Sequence, residues 1–260
     1  MNVAMKTPVR FFLFMIVASS LACQFLVPSR NGTVISDCAQ IVSAVASLQP
    51  GEIPEHLSNT GIRRGDEFDV NQYFNVLTHI SMQEGSTLDY VYQNDSLGGF
   101  PMLYARPVDQ VSYASVPDIP ENTQLPDFSE HLEIEDVEQG YFEYVVMNIM
   151  ANQFYLFWHA NYNDTRLICN SRQVNDIVAQ VSSGDFGVAM DLPSQAKART
   201  LRNIEPVVRL TGDVAIVEVI TFSNWGGFYR YAYTISRGFP HTIVDLKQEN
   251  ILSYDCGIMF

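Results

Sequence analysis

The chain has 260 residues, of which 47% are hydrophobic and 17% charged, with 29 acidic against 15 basic side chains and a formal net charge of −14 at pH 7. That much apolar material buries a sizeable core and excludes a disordered, collagen-like or coiled-coil chain. The acidic excess excludes a non-specific nucleic-acid binder, since counterion release rewards cationic surfaces, and it sets the bare surface against anionic lipid.

Lys6 and Arg10 precede an apolar run, Phe11 to Leu21. The run is too short to span a hydrocarbon layer about 30 Å thick as a helix. A basic start, a short apolar stretch and then Ser20, Ala22 and Cys23 have the layout of an export signal over residues 1–22. Its end, Ser20-Leu21-Ala22-Cys23, resembles the lipobox of bacterial lipoproteins, with one departure: Ser20 stands where Leu is usual, and Leu21 comes one place late. The resemblance covers only the first 23 residues. It implies lipidation of Cys23, which makes the membrane a partner of a protein working outside the cytoplasm. Ordinary cleavage after Ala22, giving a soluble secreted chain, and retention as an uncleaved anchor are the alternatives.

Residues 23–36 read as a tether and 37–260 as a single domain. Asp37 is a good N-cap for a helix with Ile41, Val42, Val45 and Leu48 on one face, stopped by Pro50-Gly51. A second helix is expected from Asp69, with Tyr73, Phe74, Leu77 and Ile80 at helical spacing and His79 on its polar side. Thr87–Tyr92 and Pro101–Ala105 read as the arms of a hairpin turning through Asn94–Gly99. Residues 107–139 hold Pro107, Pro117, Pro120 and Pro126 with nine acidic residues and no Lys or Arg, which predicts a solvated acidic excursion; calcium-loop spacing is missing.

Beyond it, Tyr141–Met150 is a continuous apolar run that period alone assigns to neither helix nor strand. Gln153–His159 and Thr165–Cys169 read as two strands joined across Asn161–Asp164, and Val174–Val181 and Pro193–Arg202 as helices. Val207–Leu210, Val214–Phe222, Phe228–Ser236 and Thr242–Lys247 are β-branched and aromatic runs whose connections are too short for parallel crossovers. The expected class is therefore α+β, with an antiparallel β-meander in the C-terminal part packed with several helices.

Chemistry is sparse by comparison. Tyr229, Tyr231 and Tyr233 share one strand face, which either lines a ligand pocket or packs as core, and Trp225 sits in the Gly-flanked turn before them. These four are the candidate ligand-binding residues. His241 and Asp245 point to one side of a strand but stand about 13 Å apart, too far for a direct hydrogen bond. Ser194-Gln195-Ala196-Lys197 has the S-x-x-K spacing of penicillin-recognising enzymes without their downstream partners. The nucleophile elbow, the P-loop, G-x-G-x-x-G and H-E-x-x-H are all absent.

Cys38, Cys169 and Cys256 lack zinc spacing, and in an exported chain they permit a disulfide whose pairing stays open. No catalytic residue, metal or cofactor is assigned. Two functions are carried forward: a non-enzymatic envelope protein that binds a small molecule or a protein or serves structurally, and an exported hydrolase with dispersed acid/base groups such as His159, His241 and Glu218.

Overall fold

A computed structural model describes residues 31–185 and 187–259. The expected export signal, Cys23 and the tether up to residue 30 lie outside the described residues. The chain joins the fold before the expected domain start: Thr33–Val34 (β1) pair with residues 207–208, and Ile35 is buried. Cys38–Leu48 (α1) follows, burying Cys38, Ile41 and Val45, and Glu55–Thr60 (α2) ends on Gly61 in the left-handed region at φ 65°.

The helix expected from Asp69 is only a 3-10 segment, Val70–Asn75. The Asp69 side chain accepts from the Asn71 N–H, and Asn71 in turn donates to the Leu88 carbonyl and accepts from its N–H, so the segment is bent toward a strand instead of propagating. Ile80–Met82 (β2) then pairs with Leu132–Ile134 (β5). His79 accordingly precedes a strand and is not on a helix. Ser86–Asp95 (β3) and Gly98–Pro107 (β4) form the expected hairpin, with a tighter turn. The acidic stretch is irregular up to about residue 127, with short 3-10 turns, and regains order at β5.

Glu138–Met150 (α3) settles the ambiguous run as a helix. Residues 140–147 are all buried, which is why its apolar pattern has no period: this helix lies inside the molecule and has no solvent face over that stretch. Gly140 sits where a Cβ would collide with the Glu135 carbonyl, so the close approach of α3 to the preceding turn requires glycine there.

The two strands expected after α3 exist but do not pair with each other. Phe157–Trp158 (β6) adds to β4, whereas Arg166–Ile168 (β7) joins residues 220–222 of another sheet. Ser171–Ser182 (α4), capped by Asn170, and Leu192–Arg199 (α5), capped by Asp191, are the two expected helices.

The meander forms as expected: Val207–Thr211 (β8), Val214–Ser223 (β9), Gly227–Ser236 (β10) and Ile243–Leu252 (β11) run antiparallel in the order β1-β8-β9-β10-β11. The fold is α+β. Strand parity divides the sheet's two faces. Ala215, Val217, Val219, Tyr233 and Ile235 pack into the main core with α1 and α3; Ile220, Phe222, Phe228 and Leu252 pack against α4 and α5. A disulfide joins Cys38 to Cys169, and Cys256 is a buried free thiol.

Candidate ligand-binding site

The tyrosine stripe on β10 grades from core to surface. Ring centroids of Tyr229 and Tyr231 lie 6.2 Å apart, and those of Tyr231 and Tyr233 5.9 Å apart. Tyr233 is buried in the main core and Tyr231 packs beside it; burial pushes both phenols up. Neither lines the open depression at the end of the strand. Tyr229 does, together with Trp225, over a volume of about 630 Å³.

Local sequence explains this geometry. Trp225 lies in the β9–β10 turn, its indole N–H donating to the Ile258 carbonyl at 2.8 Å and its ring met edge-on by Tyr162 at 4.6 Å. Beside it, Gly226 lets backbone rest on a ring: a Cβ there would stand 2.8 Å from Tyr229 Cε2. Asn250 Nδ2 donates to the Gly226 carbonyl at 2.9 Å and Ser253 Oγ to Asn250 Oδ1 at 2.8 Å, so β11 braces the turn.

Across the depression, Asp191 caps α5 by accepting from the Ser194 N–H at 2.8 Å and Oγ at 2.9 Å. Those bonds hold its carboxyl below the usual range. The S-x-x-K serine is thus spent on the cap, donating to Asp191 through both its N–H and its hydroxyl.

The lining carries the carboxylates of Asp191 and Asp255, the Asn250 amide and the hydroxyls of Ser194, Ser253, Tyr229 and Tyr254, with no Lys or Arg among the described residues. Three aromatic rings, those of Trp225, Tyr229 and Tyr254, beside hydroxyls and carboxylates suit a neutral, hydroxyl-rich ring or a cation, and the carboxylates repel an anion.

The expected acid/base members are not brought together. His241 is buried, with Nδ1 3.1 Å from the Ser236 carbonyl, while Asp245 lies 3.8 Å from Lys247. His159 stacks against Tyr162 at 6.0 Å, and Glu218 pairs with Arg209 at 3.3 Å.

Two other histidines, His79 and His56, meet carboxylates instead, and sequence reasoning missed both. Glu143, in α3, lies 2.9 Å from His79 Nδ1 and accepts the His79 backbone N–H at 2.8 Å. His79 lines a shallow depression of about 270 Å³ with Ser81, Glu133 and Glu135. The readable signal was a lone acid inside the apolar run Tyr141–Met150.

The second contact, His56 Nε2 to Glu67 at 2.6 Å, belongs with Asp66 to a trio of potential metal ligands whose donor atoms lie within 4.8 Å of one another. Burial pushes the Glu67 carboxyl up, but bonds from the Arg64 and Gly65 N–H groups and from His56 outweigh it and hold it below the usual range. Glu67 is thereby already supplied with donors.

No protein-family profile, curated protein or solved structure matches this chain. Among the described residues no helix is long and apolar enough to cross a membrane.

Proposed function

We propose that this is an extracytoplasmic cell-envelope protein, lipid-anchored through Cys23, whose α+β domain binds a small ligand without transforming it. The observation that carries the binding is the meeting of Trp225 and Tyr229 at a depression of about 630 Å³ with carboxylates, an amide and hydroxyls around it. Its charge character selects a neutral hydroxylated ring, such as a sugar, or an organic cation. The Cys38–Cys169 disulfide supports the location, because such bonds persist in oxidising compartments.

Titration calorimetry with a panel of neutral mono- and disaccharides and with choline tests the reading. Binding of a panel member, weakened at least tenfold in Trp225→Ala and Tyr229→Ala, is expected; silence across the panel, or binding indifferent to both substitutions, contradicts it.

One observation favours a second reading, an exported hydrolase: the buried Glu143 carboxylate engages His79 Nδ1, and Nε2 stands 3.9 Å from Glu135 at a shallow depression, a placement suited to a general base. Release of nitrophenol from nitrophenyl acetate by the wild type, lost in His79→Ala, would favour it over simple binding.

A further inference from the structure

A second cleft, separate from the Trp225 depression and independent of its reading, opens where α1 faces α4 over β7. Its volume is about 390 Å³, at the small end of the roughly 300–1,000 Å³ typical of ligand sites. Val42 and Ala46 present an α1 face to it, Ile177 and Gln180 an α4 face, and Leu167 and Arg166 come from β7. The walls are stapled close by: Cys38 is the first residue of α1, and Cys169 stands two places before α4. The cleft also lies at the seam of the two apolar clusters, since Leu167 belongs to one and Ile177 to the other.

Arg166 is the anomaly here. The half-buried arginines Arg63, Arg106, Arg209, Arg230 and Arg237 each lie within 4.0 Å of a carboxylate. Arg166, equally half-buried, has no such partner among the described residues, in a chain with 29 acidic side chains. Its Nη1 donates to Gln180 Oε1 at 2.8 Å and its Cζ stands 4.9 Å from the centre of the Phe222 ring, while Nη2 is buried with no acceptor. Burial disfavours its charge, and the Asp164 carboxylate nearby offsets this only in part.

Asp164, two residues away, has its carboxylate bound by Ser223 Oγ at 2.7 Å and the Asn224 N–H at 2.9 Å. Asp176 also lines the cleft but is exposed at its rim, beyond ion-pair distance of the guanidinium. A cation kept from water is costly. The Asp164 charge offsets part of that cost from a distance, but among the described residues no carboxylate touches the guanidinium, and an anion delivered with apolar surface would supply the missing contact.

We propose that this cleft is a binding site for a small apolar monocarboxylate, its carboxylate seated on Arg166 and its hydrocarbon body lying between α1 and α4. Ion pairing fixes the orientation with the head inward toward β7, and the apolar walls take the chain.

Titration calorimetry with sodium decanoate, below its micellar range, is the test, with decanol as the uncharged counterpart. Arg166→Gln removes the cation, and Ala46→Phe fills the mouth from an exposed helix position that leaves the core untouched. Saturable one-to-one binding of decanoate is expected, at least tenfold weaker in each variant and at least tenfold weaker for decanol. Absence of decanoate binding at millimolar concentration, equal binding of decanol, or undiminished affinity in Ala46→Phe overturns the proposal. Should Arg166→Gln not fold, the decanol comparison and Ala46→Phe decide the matter by themselves.

Discussion

The carboxylate of Glu143 holds His79 twice, through the backbone N–H at 2.8 Å and through Nδ1 at 2.9 Å, although the two residues are 64 positions apart. Glu143 is 2% exposed, and Gln139 Nε2 adds a third contact at 3.2 Å. A buried acid so surrounded fastens the segment before β2 onto α3. Replacing Glu143 by Leu strips acceptors from those donors and is expected to destabilise the domain by about 1–3 kcal/mol, with Glu143→Gln costing less because one acceptor oxygen survives. Urea unfolding of the two variants checks both the size and the order.

The Cys38–Cys169 bond closes a loop of 131 residues. Constraint of the unfolded chain by so long a loop makes its removal cost about 2–5 kcal/mol. The Cys38→Ser/Cys169→Ser double variant is expected to unfold at correspondingly lower urea. Because Cys256 is buried, thiol titration of the native domain, residues 31–260, should read close to zero and rise to one thiol on unfolding.

Asp136 supplies the pH dependence. Hydrogen bonds from Arg237, at 2.8 and 2.6 Å, outweigh desolvation and, with a bond from Tyr141, bring its carboxyl down to about 2 from 3.8. A carboxyl depressed in the folded state stabilises fully above its unfolded value and loses that contribution as pH falls through the folded one. The Asp136 side chain is 53% exposed, so solvent screening keeps the effect small. Asp136→Asn is expected to lower the melting temperature at pH 7, with the gap to wild type closing between about pH 4 and pH 2. A gap that stayed constant down to pH 2 would contradict the ion pair.

Asp89 is a larger commitment of the same kind. It is buried between Arg63 at 2.7 Å and Arg106 at 2.8 Å and accepts further bonds from Ser112, Tyr104 and the Tyr90 N–H. Burial pushes its carboxyl up, but the Ser112 and Arg63 bonds and the Arg63 charge win, and it stays below the usual range. Asp89→Ala leaves Arg106 without its anion and Arg63 with only Glu67 at 4.0 Å, and is expected to cost about 3–5 kcal/mol, measured by denaturant unfolding.

What the amino-acid order reveals follows from where each partner lies. The β8–β11 meander was legible because neighbouring strands are neighbours in sequence and their alternation survives on a sheet whose faces differ. The same alternation placed three tyrosines on one face, yet it could not say that Tyr233 would be buried while Tyr229 reached a depression, since α5 and the end of β11 close that region from elsewhere in the chain. β6 and β7 were visible as strands, but their partners in β4 and β9 were not, because short extended runs carry no record of distant pairing. The helix expected from Asp69 failed for a related reason: Asn71 spends its side chain on Leu88 of β3, a contact that propensity does not contain. His79–Glu143 and Arg166 escaped likewise, one defined by a remote partner and the other by the lack, among the described residues, of a carboxylate in contact.

Intact mass of the protein extracted from membranes with detergent tests the central claim most directly, because one spectrum reads both ends of the argument. The expected species begins at Cys23, carries a diacylglyceryl group there, and is two hydrogens lighter than the reduced chain through Cys38–Cys169. A full-length chain starting at Met1, unacylated and with every thiol reduced, would contradict it.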